Sequence, residues 1–185
     1  MIYAAFLRGI NVGGKNKIKM ADLKKELDDM GLSNVQTFIQ SGNIVFESAK
    51  DRYEIENEIA TVIQNKFNIK TSVIIRSADE LLDIVNFCPY SKEEITLAKT
   101  ININSESFYV ALLDGTLTDE SIKKLETSKT ENENFRIKGP NIYMLFFNSI
   151  RNSKLSNILQ KMEPNATVRN FNTIEKICSL VKSRM

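Results

Sequence analysis

Apolar residues along the chain recur at two spacings. Residues 2–8 make a short β-rich apolar run, and residues 35–40 and 44–47 make two more, joined by Ser41-Gly42-Asn43, a tight hairpin signal. Between the first run and the hairpin, Met20, Leu23, Leu27 and Met30 fall at helical spacing, and Gly31 is placed to end that helix. Ile55, Ile59, Val62, Ile63 and Phe67 predict a second helix, residues 71–76 a fourth strand, and Ser77 with Glu80 a capping box opening a helix that runs to about residue 87. Cys88-Pro89-Tyr90 stops it.

The order then repeats. Residues 108–113 read as a strand, Asp114-Gly115 as a turn, and Thr118 as the cap of a helix carrying Ile122 and Leu125. Residues 134–138 and 142–147 form a hairpin around Gly139-Pro140-Asn141. Leu155, Ile158, Leu159 and Met162 lie on a helix ended before Pro164, residues 166–170 read as a strand, and Ile174, Ile177, Leu180 and Val181 line a last helix. FLRG echoes LLDG, SGNIVF echoes GPNIYMLF, and VIIRSADELLDIV echoes TVRNFNTIEKICSLV. The shared order carries more weight than any one of these matches. It predicts an α+β fold of two ferredoxin-like βαββαβ(α) halves from an internal duplication: residues 1–90, a polar linker at 91–105, and residues 106–185. Residues 142–147 are apolar at every position, and residues 3–7 nearly so. A strand with one wet face should alternate, so both faces of each sheet are expected to be covered, by the other sheet or by a partner chain.

Composition narrows the function classes. The 185 residues are 42% hydrophobic and 26% charged, as a globular chain is. The net charge of +2 argues against a dedicated nucleic-acid binder, and the third strand lacks the basic-Gly-aromatic signature of RNA-recognition sheets. There is no histidine, which removes Ser-His-Asp and Cys-His nucleophile systems and every His-containing zinc site. No metal site is expected, and the residues name no cofactor. Cys88 and Cys178 have no CxxC partner and suit a reducing compartment; both read as core fillers within apolar helices. The first residues do not read as a signal peptide, and no apolar run reaches the roughly 20 residues of a membrane span, so the cytoplasm is the expected location.

The loop at residues 8–19 is the most distinctive segment. No acidic residue precedes Asp22, while Arg8, Lys15, Lys17 and Lys19 concentrate positive charge. Gly9, Gly13 and Gly14 permit backbone that presents N–H groups, and a helix start follows, the ingredients of an anion nest. The topology places Ser41, Gly42 and Asn43 beside it, so Arg8, Asn11, Gly13, Gly14, Lys15, Lys17, Ser41 and Asn43 form a candidate ligand site. The spacing fits neither GxGxxG nor GxxxxGK[ST]. A plainer reading makes the glycines an ordered turn and sets the lysines in water. A second cluster, Ser153, Lys154, Arg169, Asn170 and Asn172 with Thr173, gathers where two helix starts share a sheet margin, though Ser, Asn and Thr there also serve as N-caps. The adjacent acids Asp28-Asp29 and Glu93-Glu94 suit solvent.

Several segments carry a resemblance. LRGINVGGKNKIKMADL, VQTFIQSGNIVFES, Ser153-Lys154-Leu155 and ATVRNFNT are similar to the bacterial family known as domain of unknown function 1697. Phe171 stands where that family usually has tryptophan, and the segment before Ser153 lacks its usual glycine. The resemblance implies a small cytoplasmic protein of duplicated α+β fold and names no activity. Three readings of function follow. One is a binding module for an anionic, phosphate-bearing small ligand at residues 8–19. The others are an enzyme working without histidine, with Arg8 or Lys154 stabilising negative charge, and an interaction protein that self-associates through a sheet face.

Overall fold

The structure, a computed structural model, describes residues 1–185, the side chain of Asn152 apart. The chain divides into two compact units, Met1–Val85 with Ile174–Met185, and Asn86–Thr173.

In the first unit the strands β1 (Ile2–Leu7), β2 (Ser33–Phe38), β3 (Asn43–Glu47) and β4 (Val73–Ser77) form an antiparallel sheet in the order β2-β3-β1-β4. The helices α1 (Met20–Asp29) and α2 (Arg52–Phe67) follow β1 and β3, and α3 (Ala78–Asn86) follows β4. Period-two alternation sorts the strand side chains. Tyr3, Ala5, Leu7, Ile44, Phe46 and Ile75 join Leu23 and Leu27 of α1 and Ile55, Ile59 and Ile63 of α2 in one core. The residues between them, Ala4, Phe6, Val45 and Ile74, point to the other face and are buried as well. That is why these strands do not alternate between apolar and polar.

The second unit repeats the plan. β5 (Phe108–Leu112), β6 (Glu133–Lys138), β7 (Asn141–Phe146) and β8 (Thr167–Asn170) take the order β6-β7-β5-β8. Ala111, Ile142, Met144 and Phe146 pack with Leu125 of α5 (Asp119–Ser128) and Leu155 and Leu159 of α6 (Lys154–Met162), while Val110, Leu112, Tyr143 and Leu145 are buried on the other face. The halves agree in a polar detail. Arg76 stands opposite Ala4, and Arg169 opposite Val110, the same register position in each sheet. Each donates through Nη1 to the carbonyl of the residue before it, Ile75 or Val168, at 3.0 Å.

One element differs from expectation. The stretch 91–105, read as a linker, contains α4 (Lys92–Ile101). Ser91 accepts from the Glu94 N–H and the Glu94 carboxylate accepts from the Ser91 N–H, a complete capping box. Glu94 is therefore not simply a solvent-facing acid. Its carboxylate also takes both arms of the Arg136 guanidinium, at 2.6 and 3.1 Å, and that hydrogen bonding holds it below the usual carboxylate range. The last helix, α7 (Phe171–Lys182), carries buried Cys178 as expected, whereas Cys88 lies beyond the end of α3 with its Sγ 3.7 Å from the Tyr90 carbonyl.

Tyr90 packs edge-on to Phe108 and lies under the Arg136 guanidinium, 4.1 Å from its ring centre. Its hydroxyl is buried and has no hydrogen-bond partner among the described residues. Burial pushes that hydroxyl above its ordinary value of 10.0. Because burial penalises the phenolate, the titration leaves stability unchanged below pH 10 and removes stability as pH climbs from there toward the raised value. Tyr90→Phe removes both the orphan hydroxyl and this titration. Urea unfolding is expected to show equal or greater stability at pH 7, by up to about 1 kcal/mol, and an unfolding limb above pH 10 that moves to higher pH. A clear loss of stability at pH 7 would show that the hydroxyl is satisfied.

Candidate functional site

The loop after β1 is held from within. Asn11 is its hub. Its side-chain amide donates to the Ile18 carbonyl at 2.9 Å and to the Gln40 carbonyl at 2.8 Å, while its Oδ1 accepts from the Ile18 N–H at 2.9 Å. The Asn16 amide reaches back to the Gly9 carbonyl at 3.1 Å. Asn11 and Asn16 both sit at positive φ, conformations that asparagine tolerates better than most residues.

The hairpin between β2 and β3 is fastened to the same place. The Leu7 N–H donates to the Gly42 carbonyl at 2.8 Å. Gly42 has φ +71, and a Cβ built there would stand 2.8 Å from the Leu7 Cβ, so only glycine fits. Asn43 is fully buried and spends its amide on the Phe38 carbonyl and on Ser41 Oγ, at 3.2 and 3.0 Å. The tip thus meets three constraints, and Ile39 takes what remains, φ +49. A β-branched residue in the left-handed region is a genuine outlier and costs about 1–3 kcal/mol. Its side chain is 52% exposed.

Between loop and hairpin opens a cleft of about 840 Å³. Lys17, Lys19, Met20 and Ala21 line one side and Thr37, Ile39 and Gln40 the other, with Asn11, Gly14 and Ile18 contributing. Lys19 is the N-cap of α1, and no side chain caps that helix start. The other helices are capped: Asp51 for α2, Ser77 for α3, Ser91 for α4, Thr118 for α5, Ser153 for α6 and Asn170 for α7. Lys19, Met20 and Ala21 of this uncapped start line the cleft, so the first-turn N–H groups left without a cap lie on residues that border it, with Asp22 as the one acidic residue of that turn.

Of the expected site residues, the cleft includes Asn11, Gly14 and Lys17. Lys15 and Gly13 are exposed nearby, but neither lines the cleft. Arg8 is half-buried, its backbone N–H bonded to the Ser72 carbonyl and its own carbonyl to the Thr71 hydroxyl. Ser41 and Asn43 hold the hairpin and do not line the cleft. Sequence reasoning missed Ile39, Thr37 and Gln40. The missing cap was legible, because lysine is no N-cap residue.

The second cluster is brought to one sheet margin, at the N-terminal end of β5, but its members other than Lys154 are engaged by neighbouring groups. The Ser153 Oγ accepts from the Ser156 N–H at 2.8 Å, and the Asn170 Oδ1 from the Thr173 N–H at 2.8 Å. The buried Glu133 carboxylate accepts from the Leu155 N–H at 3.4 Å, placing the chain's own anion at the start of α6. Asn172 donates to the Glu106 carboxylate at 3.3 Å, and Arg169 to the Thr167 hydroxyl at 2.7 Å. Burial pushes Arg169 down to about 10, which leaves it charged at neutral pH. Lys154 is exposed. Among the described residues no group of acids and cysteines is arranged to hold a metal ion, and no helix is long and apolar enough to cross a membrane.

An α+β chain of two βαββαβ halves, with a loop-and-hairpin cleft on the first, is the class these observations define. Residues 1–143 match the family of proteins of unknown function DUF1697, and the chain belongs to it. A solved structure, the conserved bacterial protein SP0830 from Streptococcus pneumoniae, is similar throughout: TM-score 0.74 and 25% identity over 97% of this chain and 98% of that one. No curated protein sequence matches.

Proposed function

We propose that the cleft between residues 8–21 and the β2–β3 hairpin binds a small ligand with an anionic, phosphate-like head and an apolar body. The observation that carries this is the uncapped start of α1, open on a cleft flanked by Lys17 and Lys19. Backbone N–H groups would hold the head, the lysines would supply long-range attraction, and Ile39, Met20 and Ala21 would meet the body. The strain at Ile39 supports the same reading, since an apolar side chain held in a costly conformation and left half in water has no role in the core. Two free thiols, Cys88 and Cys178, favour a reducing compartment such as the cytoplasm.

Thermal unfolding with inorganic phosphate and a panel of nucleoside and sugar phosphates tests the proposal. At least one organic phosphate is expected to raise Tm more than inorganic phosphate does, and the Lys17→Gln, Lys19→Gln double variant should lose most of that shift. No shift from any member at millimolar concentration would refute it. Ile39→Asn gives a second signature. Asparagine accepts the left-handed conformation, so the variant is expected to gain about 1 kcal/mol, roughly 2–4 °C in Tm, while binding the organic phosphate more weakly.

A further inference from the structure

A groove of about 700 Å³ runs along the outer edge of β2, between Lys24 and Asp28 of α1, Asn34 and Gln36 of β2, Glu47 of β3, and Arg184. β2 is an edge strand, with β3 as its neighbour in the sheet. Its register with β3 shifts between Ser33 and Gln36, where Asn34 has φ +51. Arg184 reaches this bulge from beyond the end of α7. Its Nη1 donates to the Asn34 carbonyl at 2.7 Å and its Nη2 to the Gln36 Oε1 at 2.8 Å. The planar fork of a guanidinium matches two acceptors so placed, which a lysine cannot do.

The charges around the groove point the same way. Apart from Arg184 it is lined by one cation and two carboxylates. Lys24 is spent on Asp28 at 2.6 Å, and Glu47, which accepts from the Asn34 amide at 3.0 Å, has no cation paired with it among the described residues. The site is thus net negative until a guanidinium enters. Beside it, the edge strand offers backbone groups that an extended chain can use.

We infer that this groove is a docking site for an extended segment of another protein that carries an arginine, and that Arg184 occupies it in cis. Arg184 is two residues past α7 on an exposed stretch, so its hold is a surface contact that a competing arginine can displace. Tethering gives it an effective concentration in the millimolar range, which masks the groove from weak ligands.

The probe is the tetrapeptide Lys-Ser-Arg-Met, the chain's own residues 182–185, titrated into Arg184→Ala and followed by amide NMR. Binding to the variant is expected to be at least about tenfold tighter than to the unmodified chain, with shifts centred on residues 33–36. Lys-Ser-Gln-Met should give no response, and adding Gln36→Ala to the variant should weaken binding again. Equal or absent binding in both proteins would overturn the inference, as would equal response to the glutamine peptide. A variant that dimerises without taking peptide would make the occupant a second copy and overturn it too. None of these outcomes depends on the cleft at α1.

Discussion

Gly42→Ala is expected to cost about 3 kcal/mol of stability. Two penalties add at this position. The φ of +71 puts an L-residue into the left-handed region at about 1–2 kcal/mol. The new methyl would lie 2.8 Å from the Leu7 Cβ and 3.3 Å from the Ile10 Cβ, both fully buried, and overpacking of that kind costs about 1–3 kcal/mol. Leu7, the nearer of the two, cannot withdraw, because it is in β1 and its N–H is bonded to Gly42 itself. Urea denaturation measures this directly. A loss below about 1 kcal/mol would mean that the hairpin and the loop are not locked together as described.

Asn11→Ala should cost about 2–3 kcal/mol and erase any phosphate response with it. Three hydrogen bonds disappear, and the Ile18 N–H, on a residue only 5% exposed, loses its acceptor. Alanine at φ +56 adds strain that asparagine largely avoids. Asn11 already spends its side-chain amide on the Ile18 and Gln40 carbonyls and its backbone N–H on the Asn16 carbonyl, so it has no N–H left to donate to an anion and a lost response here reports lost shape. Direct titration of the organic phosphate at a temperature where the variant is fully folded measures the lost response apart from the lost stability. A variant that keeps the response would show that the cleft does not need its floor.

The sequence carried the scaffold because its strands and helices obey strong periods. Leu23 and Leu27, or Ile55, Ile59 and Ile63, are all core residues at helical spacing. Helix α4 escaped because it has almost no buried stripe: Ala98 is its one fully buried residue, while Leu97 and Ile101 are exposed. Its capping box, Ser91 with Glu94, is the readable signal in a stretch whose polar composition reads as a linker. At the candidate site the loop glycines and lysines were legible as composition. The roles of Asn11 and Asn43 were not, because which carbonyl an amide meets depends on how two distant segments dock. Ile39 was least legible of all: isoleucine favours extended backbone, and only the over-constrained hairpin around it reverses that preference.

That reversal bears on how this protein would change under laboratory evolution. A library selected for heat tolerance alone, with no ligand in the medium, should enrich asparagine or glycine at position 39 early. The gain there is local and requires no compensating change in the interior. Under the proposed reading of the cleft, the same library selected for retention of an organic phosphate should keep isoleucine.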